Sequence, residues 1–206
     1  MESITHKVIQ EAITYQDYEA LIERLFAENT TTNGDNSDGM LAYTRLNIQR
    51  SSRWNKRGKL IPEVLESVKQ IQTPQTWIVL TEGWCGDSAQ NLPFIHLIAE
   101  SSPDIELKIL LRDNYPDIMD AYLTNGARSI PKLIALDTDT LEELFQWGSR
   151  PDEAQQLFNE IRHDESRGIG PAKEELHKWY AKNKGLALQK EFTELIQTTA
   201  ASIAEE

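Results

Sequence analysis

Cysteine is almost absent: Cys85 is the single one in 206 residues. That excludes an internal disulfide and a disulfide-stapled secreted scaffold, and it makes a reducing compartment the expected setting. Long apolar runs are missing as well. No stretch of about 18 apolar residues occurs, so no membrane-spanning helix is expected. Met1 to Lys7 lacks a basic region followed by an apolar core, so no signal peptide is expected and the cytoplasm is the expected location. Positive charge is short: 21 Lys and Arg stand against 33 Asp and Glu, a net charge of −12, which argues against general nucleic-acid binding. The histidines at 6, 96, 163 and 177 show no ligand spacing with the cysteine, so no metal site is expected.

What remains suits a globular chain. At this length about 70% of the unfolded surface can be buried, and no covalent staple is needed. Charge is unevenly spread. Residues 1–39 carry eight acids and two bases, whereas residues 40–62 carry no acid and six bases: Arg45, Arg50, Arg53, Lys56, Arg57 and Lys59. Periodicity predicts a helix over residues 8–28, open to interruption at Gln16-Asp17, then a polar loop from Asn29 to Gly39 that reads first as a solvated connection and second as a mobile loop. A second helix over 40–56 is capped by Ser37 or Asp38 and ended by Gly58. A third opens at Pro62.

Trp77-Ile78-Val79-Leu80 reads as a buried strand, and Ala89 to Glu100 as an amphipathic helix. Cys85 lies at the handover between them. Its plain reading is a small buried hydrophobe. Gly86, Asp87 and Ser88 point instead to a turn and helix start. A sulfur there faces free backbone N–H groups and the positive end of the helix dipole, so a lowered thiol pKa is expected. Further along come a strand over 105–111, a short helix from Pro116, a hairpin over 132–146, and a closing helix over 151–164 with Ala154, Leu157, Phe158 and Ile161 facing inward. Two more helices are expected over 172–182 and 186–198, packed on the N-terminal helices or on a second subunit.

Trp84-Cys85-Gly86-Asp87-Ser88 resembles the Trp-Cys-Gly-Pro-Cys site of thioredoxins. Pro93 stands where the helix-kinking proline does, Ile130-Pro131 resembles the cis-proline loop that faces the active sulfur, and Gly148 resembles the glycine ending the last strand. Trp-Cys-Gly-Asp followed by Ala-Gln is similar to a single-cysteine branch of bacterial thioredoxin-like proteins. The resemblance implies an α/β fold, a central mixed sheet flanked by helices, over residues 63–166. Residues 1–62 and 167–206 are then helical extensions.

It also implies thiol–disulfide exchange or mixed-disulfide formation, with Cys85 as nucleophile and Pro131 and Ser88 beside it. Trp84, Gly86, Asp87 and Ile130 are the candidate binding surface. Ser88 replaces the resolving cysteine, so a second thiol must come from a protein partner or from glutathione as co-substrate. Ser88 reads equally as a hydrogen-bond donor to Cys85 and as a helix-start residue bonding the backbone. Asp87 reads first as a helix cap with Gln90 as its partner, and its charge opposes thiolate formation. Val79 stands where thioredoxins hold a buried carboxylate; Glu82 is the nearest substitute. Arg50 and Arg53 are candidates for reaching the cysteine and holding a substrate carboxylate, against internal pairing with the acidic helices. Two further readings stand beside exchange: a redox-inactive protein-binding module, and a glutathione and iron–sulfur cluster binder, since Cys-Gly-Asp-Ser resembles the Cys-Gly-Phe-Ser of monothiol glutaredoxins.

Overall fold

A computed structural model describes residues 4–164 and 169–204. The boundary expected at residues 166 and 167, and Gly168, lie outside the described residues. Four strands form one sheet in the order β2-β1-β3-β4. β1 (Gln75–Thr81) is central, parallel to β2 (Ile105–Leu111) and antiparallel to β3 (Lys132–Asp137); β3 pairs antiparallel with β4 (Glu143–Gly148). Every residue of β1 is buried, as a strand covered on both faces requires.

Alternation along β1 divides the core. Trp77 and Val79 face a layer with Leu133, Ala135, Phe145 and Trp147. Ile78 and Leu80 face the other layer, with Leu110, Ile134 and Leu136. The first layer is covered by α4 (Pro62–Val68), α5 (Gly86–Glu100) and α9 (Leu186–Ala204). The second is covered by α6 (Pro116–Ala121), through Ile118 and Met119, and by Ile4 and Ala12 from either side of α1 (His6–Glu11). Gly148 ends β4 at φ 122°, and a Cβ there would lie 2.1 Å from Pro131 O; only glycine lets the two segments close up.

The sheet is closed by a different helix from the one expected. Ala154, Phe158 and Ile161 of α7 (Asp152–Arg162) pack on Ala172, Leu176 and Tyr180 of α8 (Ile169–Asn183), not on the sheet. The sheet face is taken by α9. Its Phe192 ring sits 5.4 Å from Trp77, 5.5 Å from Trp147 and 6.4 Å from Phe145. Phe192 thus joins Trp77, Phe145 and Trp147 in one aromatic nest, a group with a large apolar surface to bury. Gln189 fixes α9 to the start of the core, accepting from Ile61 N at 2.7 Å and donating to Lys59 O at 3.2 Å.

The N-terminal region also differs. The break expected at Gln16-Asp17 lies earlier, because Ile13 exchanges backbone hydrogen bonds with Ile109 at 3.0 and 2.8 Å. Thr14 then caps α2 (Tyr15–Ala27) by accepting from Asp17 N at 3.1 Å. α3 (Asp38–Arg57) is capped by Ser37 and ends at Gly58. It lies along α5, where Trp54 Nε1 donates to Gln90 Oε1 at 2.7 Å. The polar loop before α3 is tethered: Thr31 is buried, and Thr32 Oγ1 donates to Glu82 Oε2 and accepts from Gly83 N at 3.2 Å.

Candidate functional site

Cys85 is the N-cap residue of α5, with extended backbone at φ −79° and ψ 118°. β1 ends four residues earlier, so strand and helix together fix its position. Its Sγ accepts from Ser88 N at 3.5 Å and donates to Ile130 O at 3.3 Å. The Ile130–Pro131 bond is cis, and Ile130 and Pro131 are buried. Cys85, Ser88, Ile130 and Pro131 thus come together. The Ile130 carbonyl is already occupied by the thiol.

The sulfur does not behave as its place at a helix start suggests. Burial first and the nearby Asp87 carboxylate second push the Cys85 thiol up to about 11, against the pull of the Ser88 hydroxyl and amide. Cys85 is only 8% exposed, and desolvation of a thiolate outweighs a single helix dipole. The expected lowering is therefore reversed. Of the two readings of Ser88, the bond to the cysteine is the one found: its hydroxyl and its N–H both serve the Cys85 sulfur, and Cys85 itself takes the helix-cap place. Ser88 Oγ also accepts from Thr81 Oγ1 at 2.6 Å.

A thioredoxin family model matches residues 34–164, well over half of the chain. The chain belongs to the thioredoxin family. No curated protein matches it. Among solved structures, a protein of unknown function from Pseudomonas aeruginosa is 16% identical, with a TM-score of 0.56 over 98% of this chain and 99% of that one. That likeness is one of fold. An HIV epitope-scaffold is 17% identical, with a TM-score of 0.48 over 94% of this chain and 99% of the scaffold.

Within this thioredoxin-family site, Asp87 has a use that the sequence did not reveal. It does not form a capping box, since Gln90 is engaged by Trp54. Its Oδ2 accepts from Arg150 Nε and Nη2, both at 2.8 Å, and its Oδ1 from Tyr180 OH at 2.9 Å. Arg150 also donates to Gln155 Oε1 at 3.1 Å and lies 4.2 Å above the Phe158 ring. A charge beside the cysteine called for a cation. Arg150 and Tyr180, 63 and 93 positions away, gave no local sign of being its partners.

Two cavities meet at Cys85. One of about 210 Å³ lies behind it, between α2, α3 and α5, lined by Tyr18, Asn47, Ser51, Asn55 and Ser88 among others. The other, about 330 Å³, opens between α3, α8 and the Trp84–Asp87 loop. Arg50, Arg150, Lys173 and His177 line it. Arg50 Nη1 donates to Asn47 Oδ1 at 2.9 Å, and Asn47 in turn donates to Gly83 O at 3.1 Å. Arg53 does not reach the site. It is exposed one turn of α3 beyond Arg50, with its guanidinium 4.2 Å over the Trp54 ring.

Trp84 forms a wall of the second cavity, with Arg112 4.9 Å over its ring. Glu82 is fully buried and engaged by Thr32 and by Asp113 N at 3.0 Å, and burial raises its pKa. It anchors two loops. His177 is held neutral, pushed down to about 4 by burial first and then by Arg50. Among the described residues, no helix is long and apolar enough to cross a membrane, and no group of three or more His, Cys, Asp or Glu side chains is arranged to hold a metal.

Proposed function

We propose that this thioredoxin-family chain forms a mixed disulfide through Cys85 by exchange with a partner's disulfide. The supporting observation is the position of its sulfur: at the start of α5, against Ile130 O of the cis-proline loop, and bordering both cavities. In the step, the Cys85 thiolate attacks one sulfur of R–S–S–R′. The Cys85–S–R bond forms, the partner's S–S bond breaks, and R′–S⁻ leaves to take up a proton from solvent. Ser88 offers no second sulfur, so an outside thiol must resolve the adduct. With the thiol at about 11, about one molecule in ten thousand is ionised at pH 7, and exchange gains roughly tenfold per pH unit.

The test is intact-protein mass spectrometry after incubation with oxidised glutathione from about pH 7 to about pH 10. The expected outcome is one adduct, on Cys85, forming faster as pH rises and absent from Cys85→Ser. A folded protein that forms no adduct at the alkaline end overturns the proposal.

The buried, neutral thiol favours a second reading, a thioredoxin fold that binds protein partners without redox turnover. On that reading Cys85→Ala captures the same partners as the unaltered chain, whereas on the first it loses them.

A further inference from the structure

We infer that the cleft between α3 and α8 binds a small organic anion, a low-molecular-weight carboxylate that carries a disulfide, and delivers its sulfur to Cys85. The inference rests on the mixed-disulfide reading above and names the substrate class for that site.

Charge is the first argument. The chain as a whole carries −12, yet the cleft is lined by Arg50, Arg150 and Lys173 against one carboxylate, Asp87. Asp87 is neutralised where it stands, by two hydrogen bonds from Arg150 and one from Tyr180. Arg50 and Lys173 remain as excess positive charge. Arg50 is half-buried in the cleft and Lys173 stands exposed at its edge, a placement that draws anions in.

Unspent donors are the second argument. Among the described residues, Arg50 shows one hydrogen bond, from Nη1 to Asn47, which leaves its remaining N–H groups for a forked contact with a carboxylate. Asn47 holds the guanidinium in that position. Trp84 Nε1 and His177 Nδ1 are buried without a partner, and both residues line this cleft. Two orphaned polar atoms on residues that line one cavity are a cost that a ligand seated against them can remove.

Shape and size are the third. Met40, Tyr43, Phe158 and Leu176 supply apolar walls, as small-molecule sites generally have. A volume of about 330 Å³ lies at the low end of such sites, which favours a small disulfide over a polypeptide segment. Gly86 keeps the floor open: a Cβ there would meet His177 Cε1 at 3.2 Å and Arg50 Nη1 at 3.4 Å.

The step balances as before. The Cys85 thiolate displaces one half of the anionic disulfide as a thiolate, the other half stays bonded to Cys85, and solvent returns the proton. The test compares dithiodiglycolate, a dianionic disulfide, with the neutral bis(2-hydroxyethyl) disulfide. Each rate is divided by that of 2-mercaptoethanol under the same mildly alkaline conditions. The expected preference of the unaltered protein for the anion is about tenfold or more, and about 1 M salt reduces it. Arg50→Gln brings the ratio to about one, while Arg57→Gln, exposed at the far end of α3, keeps it.

Equal ratios in the unaltered protein overturn the inference. A second arm separates its failure from that of the exchange reading. Calorimetry of dithiodiglycolate with Cys85→Ser measures binding without chemistry. If neither disulfide reacts but Cys85→Ser binds the anion and Cys85→Ser with Arg50→Gln does not, the exchange reading falls and the anion site stands. No binding to Cys85→Ser overturns the anion site.

Discussion

Replacing Asp87 with Asn removes one charge and leaves the shape. The side chains of Asp87 and Arg150 are 11% and 18% exposed, so both are largely out of water. Breaking a fully buried pair costs about 3–5 kcal/mol. Partial exposure and the bonds that Arg150 keeps with Gln155 and the Phe158 face reduce the expected loss to about 2–3 kcal/mol. At this chain length that lowers the melting temperature by about 5–10 °C. The sulfur moves in the opposite sense. Asp87 is the largest cause after burial of the raised Cys85 pKa of about 11, and removing a neighbouring like charge lowers the titration of the thiol. The variant is thus less stable and more reactive. Denaturant melts measure the first effect and the pH dependence of iodoacetamide alkylation the second. Arg150→Met alone loses a similar amount, and the double variant loses less than the sum of the two. A folded Asp87→Asn protein whose Cys85 midpoint stays at or above its original value refutes the electrostatic account of this site.

Three other outcomes are expected. Ser88→Cys closes a disulfide with Cys85, whose sulfur already lies 3.5 Å from Ser88 N; titratable thiol disappears and insulin reduction rises, and a variant that keeps both thiols under oxidant shows that the two side chains do not meet. His177, held down at about 4 against about 6.5 unfolded, is protonated first in the unfolded state; stability falls by about 1–2 kcal/mol as acidification runs from about pH 6.5 to about pH 4, and His177→Gln flattens that limb of the melts. Phe192→Ala empties the aromatic nest on the sheet and costs about 3–5 kcal/mol, read from urea midpoints.

The parts of the fold written in neighbouring residues were legible. Gly86-Asp87-Ser88 favours a turn and helix start, and α5 does begin there; Ser37 and Gly58 bound α3 because caps act within a few residues. Amphipathic stripes show that a helix has a buried face but not what covers it. That is why the inward face of α7 is legible while its partner, α8, is not. The division of the first two helices depends on Ile13 pairing with Ile109, which no local pattern encodes. The same limit applies at the site. Cys85 and Ile130-Pro131 could be placed from motif residues alone, whereas the partners of Asp87 lie on elements far along the chain. The Cys85 pKa was misjudged because a helix terminus is visible in sequence and the burial around it is not.

The seat of α9 has a consequence for how the chain is made. Trp77 and Phe145 emerge from the ribosome well before Phe192, which lies more than a hundred residues beyond Trp77. At about 5–20 residues per second, the part of that face that α9 covers, beside α4 and α5, stays open for seconds while the remainder is synthesised. Joining ends so far apart also raises the entropy lost before the contact rewards it, which slows folding. A nascent chain stalled before Leu186 carries Trp77, Phe145 and Trp147 without the cover of α9, and is the form that a holding chaperone is best placed to recognise.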